Sequence, residues 1–162
     1  MDRPIICGVD DSEVARDAVR VARDLSDRFG SRLLLVHVAP ADVPPGTSVV
    51  PNAQSMLLER ERRDAELLLA EQAVAMSLGS SVQRRAVLGD PAQSLMELAR
   101  TEHAELLVLG SRRRRPLKAA LLGSVSAAVA GSAPCPVVIV PDGAATEDPI
   151  AKRPSDPKDR PE

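Results

Sequence analysis

The chain has 162 residues, of which 44% are hydrophobic and 27% charged, with 21 Lys and Arg against 23 Asp and Glu. This length suits one domain, which can bury roughly 70% of its unfolded surface without a metal or a disulfide. The net charge of −2 argues against a nucleic-acid-binding role, and no apolar stretch approaches the roughly 20 residues of a membrane span. Since no secretory pattern precedes the first apolar run, we expect a cytoplasmic protein without a membrane or nucleic-acid partner.

Short apolar runs alternate with helical patterns along the chain. The predicted strands are residues 4–9, 33–38, 82–88, 106–109 and 137–140. The predicted helices run from a cap at Asp11 or Ser12 to Gly30, over 56–78, from a cap at Asp90 to about 102, and from 123–124 to about 131. The charges of the second helix indicate a solvated face.

The composition changes at residue 142. The last 21 residues hold four prolines, ten charges and one large apolar residue, Ile150. Such a segment buries too little apolar surface to offset the entropy of ordering it. We therefore predict one domain over residues 1–141 and a disordered tail over residues 142–162.

Alternating strands and helices, with strands too apolar to have a solvated face, predict a parallel sheet covered by helices on both sides. This is a three-layer α/β sandwich. In such open sheets ligands bind beyond the carboxyl ends of the strands, where the strand order reverses. If the spatial order is 3-2-1-4-5, the first and fourth strands flank that crevice.

The segments after these two strands contain candidate ligand-binding residues. Asp10 follows the first strand and Gly110 follows the fourth, after which about a dozen residues lead to Gly123 and Ser124. A loop of that length is usually functional. It ends at a predicted helix N-terminus, whose unpaired N–H groups favour a phosphate or another anion.

Three segments together carry a family resemblance: residues 9–12 (Val-Asp-Asp-Ser), 89–91 (Gly-Asp-Pro) and 110–126. In order and spacing they resemble the universal stress protein family over residues 3–141. The resemblance implies an adenine-nucleotide α-hydrolase-like sandwich with five parallel strands in the order 3-2-1-4-5.

The ATP-binding branch of that family carries Gly, two residues, Gly, nine residues, and then Gly with Ser or Thr. This chain has Gly110, Gly123 and Ser124 in the expected places, with Arg113 where the second glycine is expected. An arginine there either crowds the phosphates or places its guanidinium on one of them.

The resemblance also implies a role for each site residue. Asp10 would hold the ribose or adenine side, and Val9 and Val38 would line the adenine pocket, which suits a chain whose one aromatic residue is Phe29. The phosphates would lie on Gly110, Gly123, Ser124, Val125 and Ser126, and on Arg113 if it is a ligand. These roles imply a stress-response regulator that binds ATP, alone or with Mg²⁺. Asp10 and Ser124 also have a simpler interpretation as helix caps.

Two alternatives remain open at this point. The Arg113 substitution is compatible with a stress-linked interaction protein of the same fold that binds no nucleotide. An enzyme is the other class, but we find no signature of related ligases or sulfur-transfer enzymes, no catalytic residue and no metal-site spacing. Weak ATP hydrolysis is the most we expect. Cys7 and Cys135 are predicted to be buried thiols and His37 a core histidine with satisfied hydrogen bonds.

The fifth strand suggests how the protein assembles. In the order 3-2-1-4-5 this strand is a sheet edge, and residues 137–140 (Val-Val-Ile-Val) are uniformly apolar. Such an edge is an aggregation hazard unless another strand covers it. Antiparallel pairing with a second copy across a two-fold axis would cover it. We therefore expect a homodimer, as the resemblance also implies.

Overall fold

The fold was analysed in a computed structural model that describes residues 3–41, 52–79, 82–111 and 123–142. Strands and helices alternate throughout these ranges. The strands are β1 (Ile5–Gly8), β2 (Leu33–Ala39), β3 (Gln83–Leu88), β4 (Leu106–Ser111) and β5 (Val137–Pro141). The helices are α1 (Glu13–Phe29), α2 (Ala53–Ala75), α3 (Pro91–Thr101) and α4 (Ser124–Ser132).

The five strands form one sheet in the order β3-β2-β1-β4-β5, and each neighbouring pair is parallel. β1 is central, with Cys7 opposite Leu35 of β2 on one side and Val108 of β4 on the other. The order therefore reverses between β2 and β4, which confirms the predicted fold class and places a topological switch point beside β1.

Helices cover both faces of the sheet. Ile5, Cys7 and Leu35 belong to the core cluster that includes α1 and α2 residues, whereas Ile6 and Leu34 belong to the cluster with α3 and α4 residues. Successive residues of a strand face opposite sides, so an uninterrupted apolar run supplies both cores. Burial raises the pKa of the Cys7 thiol to about 12.

Most predicted helix ends are confirmed. Ser12, rather than Asp11, caps α1, because its Oγ accepts a hydrogen bond from the Ala15 N–H at 3.2 Å. Gly30 ends α1 in the left-handed conformation, with φ of 65°. Asp90 caps α3 by accepting from the Gln93 N–H at 2.8 Å.

The second helix differs from its prediction by three residues at each end. It was predicted over residues 56–78 but spans Ala53–Ala75. Ser77 takes a left-handed φ of 51°, and the Leu78 N–H bonds the Ala73 carbonyl at 2.9 Å. This pattern is a Schellman-type helix end without the usual glycine. The sequence gives no stop signal there, and Leu78 packs against the core after the helix has ended.

Some predictions fall outside the described ranges. Arg113 and nearly all of the predicted tail, residues 143–162, are among them. Within the described ranges, none of the helices combines the length and apolar character needed to cross a bilayer.

Candidate functional site

A crevice opens at the carboxyl ends of β1, β2 and β4, with a cavity volume of about 250 Å³. It lies beside the switch point, where the sequence predicted a site. Eight of the nine predicted site residues line it, and the ninth, Arg113, lies outside the described residues. These eight are Val9, Asp10, Val38, Gly110, Gly123, Ser124, Val125 and Ser126.

Val9 forms the floor of the crevice, and both of its backbone polar groups are paired. Its N–H donates to the Val36 carbonyl at 2.8 Å, and its carbonyl lies 2.7 Å from His37 Nδ1. Because a carbonyl only accepts, His37 Nδ1 is the donor in this contact. Val9 therefore offers a ligand its aliphatic side chain.

His37 was missed as a site residue. Its position in an apolar run predicted a core histidine, and the hydrogen bond to Val9 does satisfy one ring nitrogen. The side chain is half-buried, however, and lines the crevice. A polar residue near the carboxyl end of a strand beside the switch point was the available signal.

Asp10 organises the turn between β1 and α1. Its Oδ1 accepts hydrogen bonds from the Ser12 N–H at 3.0 Å and from the Ser12 hydroxyl. Its backbone carbonyl accepts from Gln72 Nε2 of α2 at 3.1 Å. Asp10 thus orients the capping serine instead of capping α1 itself. A carboxylate has two oxygens and can accept further hydrogen bonds from a ligand.

The N-terminus of α4 forms the opposite side of the crevice. The helix begins after Gly123, whose carbonyl accepts from the Ala127 N–H at 2.8 Å. The N–H groups of residues 124–126 precede the first intrahelical bond, and such groups together with the helix dipole favour an anion. The Ser126 hydroxyl is buried and donates to the Gly123 carbonyl at 3.1 Å, whereas Ser124 is exposed.

Gly110 has a packing reason to be glycine as well as a place in the crevice. A Cβ at this position would lie 2.8 Å from Val14 Cγ1 and 3.0 Å from the Val14 carbonyl oxygen. A side chain there would push α1 away from β4. The glycine of the sequence motif therefore secures helix–sheet packing beneath the crevice, whether or not its N–H also contacts a ligand.

The remaining wall is aliphatic and comes partly from α3. Pro91 and Leu95 line the crevice together with Val36 and Leu109. Asp90 itself is the cap of α3 and is not among the lining residues. Although β3 is a sheet edge, the helix that follows it returns across the sheet face and packs on the core beneath the site. The wall that these side chains form is aliphatic.

The comparisons agree with this architecture. The fold and crevice define a parallel α/β sandwich with a candidate ligand site at its switch point. The model of the universal stress protein family matches residues 1–141. A universal stress protein of Thermus aquaticus is 36% identical over 144 residues, covering 86% of this chain and 99% of the relative. The chain belongs to the universal stress protein family.

Solved structures show the same fold. The universal stress protein UspA of Lactobacillus plantarum is 23% identical, with a TM-score of 0.68, and covers 86% of this chain and 97% of its own. A universal stress protein solved in complex with cAMP is 25% identical, with a TM-score of 0.58, and covers 85% of this chain and 96% of its own.

Proposed function

We propose that this protein binds an adenine nucleotide in the crevice, with ATP as the first ligand to test, and acts as a cytoplasmic stress-response regulator. One observation carries the proposal: a single cavity joins an aliphatic wall to the N-terminus of α4. A purine needs the first and a phosphate the second. The cAMP complex of a similar family member supports the adenine nucleotide class.

The positions of the lining residues suggest how the ligand would lie. The base would pack between Val9 and Val38, and the ribose hydroxyls would donate to the Asp10 carboxylate. The phosphates would accept from the first N–H groups of α4 and from the exposed Ser124 hydroxyl, with Gly110 at the edge of the phosphate space. Mg²⁺, if it accompanies ATP, would neutralise phosphate charge, while this chain supplies binding and orientation.

Acid extraction tests whether the purified protein carries a nucleotide. Protein purified without added nucleotide is extracted with acid, and the extract is separated by chromatography against ATP, ADP and cAMP standards. The stripped protein is then titrated with each nucleotide by calorimetry. A retained nucleotide, or saturable binding of any of the three, is the expected result.

A pair of glycine variants of α4 tests the phosphate position. At Gly123 a Cβ would meet only Ser126 Oγ, at 3.4 Å, so Gly123→Val is compatible with folding but fills space at the helix N-terminus. We expect it to weaken nucleotide binding at least tenfold. Gly131→Val is the matched control, because a Cβ at Gly131 meets nothing within 4 Å. Unchanged affinity in Gly123→Val would contradict this phosphate assignment.

Arg113 separates the nucleotide proposal from its alternative, an interaction protein of this fold without a nucleotide. If Arg113 is a phosphate ligand, Arg113→Gly weakens binding, because a charge-assisted hydrogen bond is lost. If it obstructs the site, Arg113→Gly strengthens binding. The alternative is favoured if neither the wild type nor this variant binds a nucleotide.

We also propose that the protein forms a homodimer through β5. The strand lies at the sheet edge, and three of its four apolar residues, Val137, Val138 and Ile139, are half-buried. Pairing with a second β5 would satisfy the outer backbone groups and cover these side chains.

A further inference from the structure

The outer face of α2 carries an unusual share of the exposed apolar surface. Four large apolar side chains are exposed in the described chain, and three of them belong to α2: Met56, Leu67 and Val74, at 70%, 56% and 79%. The fourth is Phe29, at the end of α1, with 55% exposed. Single exposed apolar residues are ordinary on protein surfaces. Three on one helix indicate an interaction surface only if they lie on the same side of that helix.

Helical geometry places these three residues on one stripe. At about 100° per residue, the steps from Met56 to Leu67 and on to Val74 return to nearly the same side of the helix. The buried residues of α2 lie on the opposite side: Ala65, Leu69, Gln72 and Ala73. α2 therefore carries exposed apolar side chains, next to charged ones, on the side opposite the one that packs against the sheet core. Exposed apolar side chains rimmed by polar ones are typical of protein–protein contacts.

Charged residues on the same stripe suggest what covers it. Arg63 lies four positions before Leu67, and Glu71 lies four positions after it. Arg63 and Glu71 are both exposed, and the Arg63 guanidinium approaches Glu59 only to 3.9 Å. Basic and acidic residues at equal distances on either side of an apolar residue form a self-complementary pattern.

We propose that this stripe, defined by Met56, Arg63, Leu67, Glu71 and Val74, is an interface with a second copy of this chain. In an antiparallel α2 pair, Leu67 meets Leu67 of the second copy on the two-fold axis. Arg63 then faces Glu71 of the second copy, and the symmetry repeats that ion pair. The alkyl stem of Arg60 covers Val74 of the second copy in the same register.

This interface is independent of the nucleotide site and of the β5 edge. α2 packs over β2 and β3, whereas β5 lies at the opposite edge of the sheet. Two copies joined through β5 therefore leave both α2 stripes accessible, so the two contacts together would build assemblies larger than a dimer.

Sedimentation velocity of the full chain at a series of micromolar concentrations tests the proposal. We expect Leu67→Glu to halve the mass of the assembly, because it places two buried carboxylates on the axis. Phe29→Glu is the matched control: it replaces the fourth large apolar residue exposed in the described chain, which lies off the stripe, and it should leave the mass unchanged. Circular dichroism confirms that both variants are folded.

A charge exchange gives a second, independent readout. Arg63→Glu and Glu71→Arg should each weaken the association by about tenfold, because each places like charges together twice. The double variant should restore it, because each pair is then re-formed with reversed signs. If the mass of the assembly is the same in the wild type, in Leu67→Glu and in both charge-reversal variants, the proposal is overturned. The stripe would then be a candidate surface for a different protein.

Discussion

At the scale of single residues, Gln72 links α2 to the turn at the edge of the crevice. Its Nε2 donates to the Asp10 carbonyl, while its Oε1 is buried without a hydrogen-bond partner. The side chain thus makes one favourable hydrogen bond and leaves one acceptor unsatisfied, and the two effects oppose each other. We predict that Gln72→Leu changes the free energy of unfolding by no more than about 1 kcal/mol.

Gln72→Glu provides the contrast. It removes the donor and sets a buried carboxylate against the Asp10 carbonyl, so we expect it to lower the free energy of unfolding by about 3 kcal/mol at pH 7. Urea denaturation of both variants measures the difference. A leucine variant less stable than the glutamate variant would show that the hydrogen bond to Asp10 outweighs the unsatisfied oxygen.

The sequence predicted the crevice residues that directly follow a strand or begin a helix. It missed lining residues that lie within a strand or a helix, such as His37 and Leu95. Asp10 and Gly123 could be predicted because chain order and spacing place them at the carboxyl end of a strand and at the start of a helix. Leu95 was missed because its contact depends on how α3 returns across the sheet, which is set by tertiary packing. His37 was missed because its apolar neighbours in β2 indicated a core position. Cys135, predicted to be buried, is half-buried, and burial nevertheless raises the pKa of its thiol.

At the scale of the elements, α3 brings Leu95 into the crevice, and an ionic cluster anchors the other end of this helix. Glu102, at the C-terminus of α3, accepts from Arg32 at 2.8 Å, just before β2, and from Arg85 of β3 at 2.7 Å. The hydrogen bonds from Arg32 and Arg85 hold the pKa of Glu102 below its usual range. A carboxylate at a helix C-terminus is unfavourable for the helix dipole, and these two arginines offset that cost.

The lowered pKa of Glu102 predicts how stability changes with pH. The unfolded chain takes up a proton on this group more readily than the folded chain, so the stabilisation is present above the ordinary pKa of about 4.3 and is lost as pH falls through the lower folded pKa. We expect Glu102→Gln to cost about 1 kcal/mol at pH 7, and we expect the difference from the wild type to shrink as acid protonates Glu102.

Denaturant unfolding at several pH values measures this effect. Glu97→Gln is the control, because Glu97 pairs with Arg100 within α3 and, in the described part of the chain, with no residue of another element. It should change stability less than Glu102→Gln at pH 7. If the two variants behave alike, the cluster does not contribute to anchoring α3 against the strands.

Helix boundaries show where sequence reasoning is weaker. Ser12, Gly30 and Asp90 have side chains or backbone freedom suited to helix ends, and α1 and the start of α3 were predicted within a residue. α2 has no such signal, since Asn52 makes no side-chain cap bond and Ser77 provides the left-handed end. The charges of α2 were correctly predicted to be solvated, but that interpretation passed over Leu67 and Val74, which share the outer face.

At the scale of the whole molecule, strand–helix alternation was enough to predict a parallel three-layer sandwich. The strand order needed more, because several orders satisfy right-handed crossovers, and the family resemblance selected 3-2-1-4-5. The sheet confirms that order and so leaves β5 with one unpaired edge in the described part of the chain. We propose that assembly depends on this edge.

Val138 lies in the middle of this edge strand. Val138 is half-buried and packs against the core on the α1 side of the sheet. Val138→Asp places a charge in the middle of β5, and in an antiparallel β5 pair the two carboxylates would lie close to each other across the axis. We expect the variant to abolish pairing through β5, so that light scattering reports assemblies half the mass of the wild type, built from chains of 17.2 kDa. Combined with Leu67→Glu, it should leave single chains.

Since Val138 also contacts the core, circular dichroism must first show that the variant is folded. A folded Val138→Asp protein with the wild-type mass would place the contact between copies on another surface.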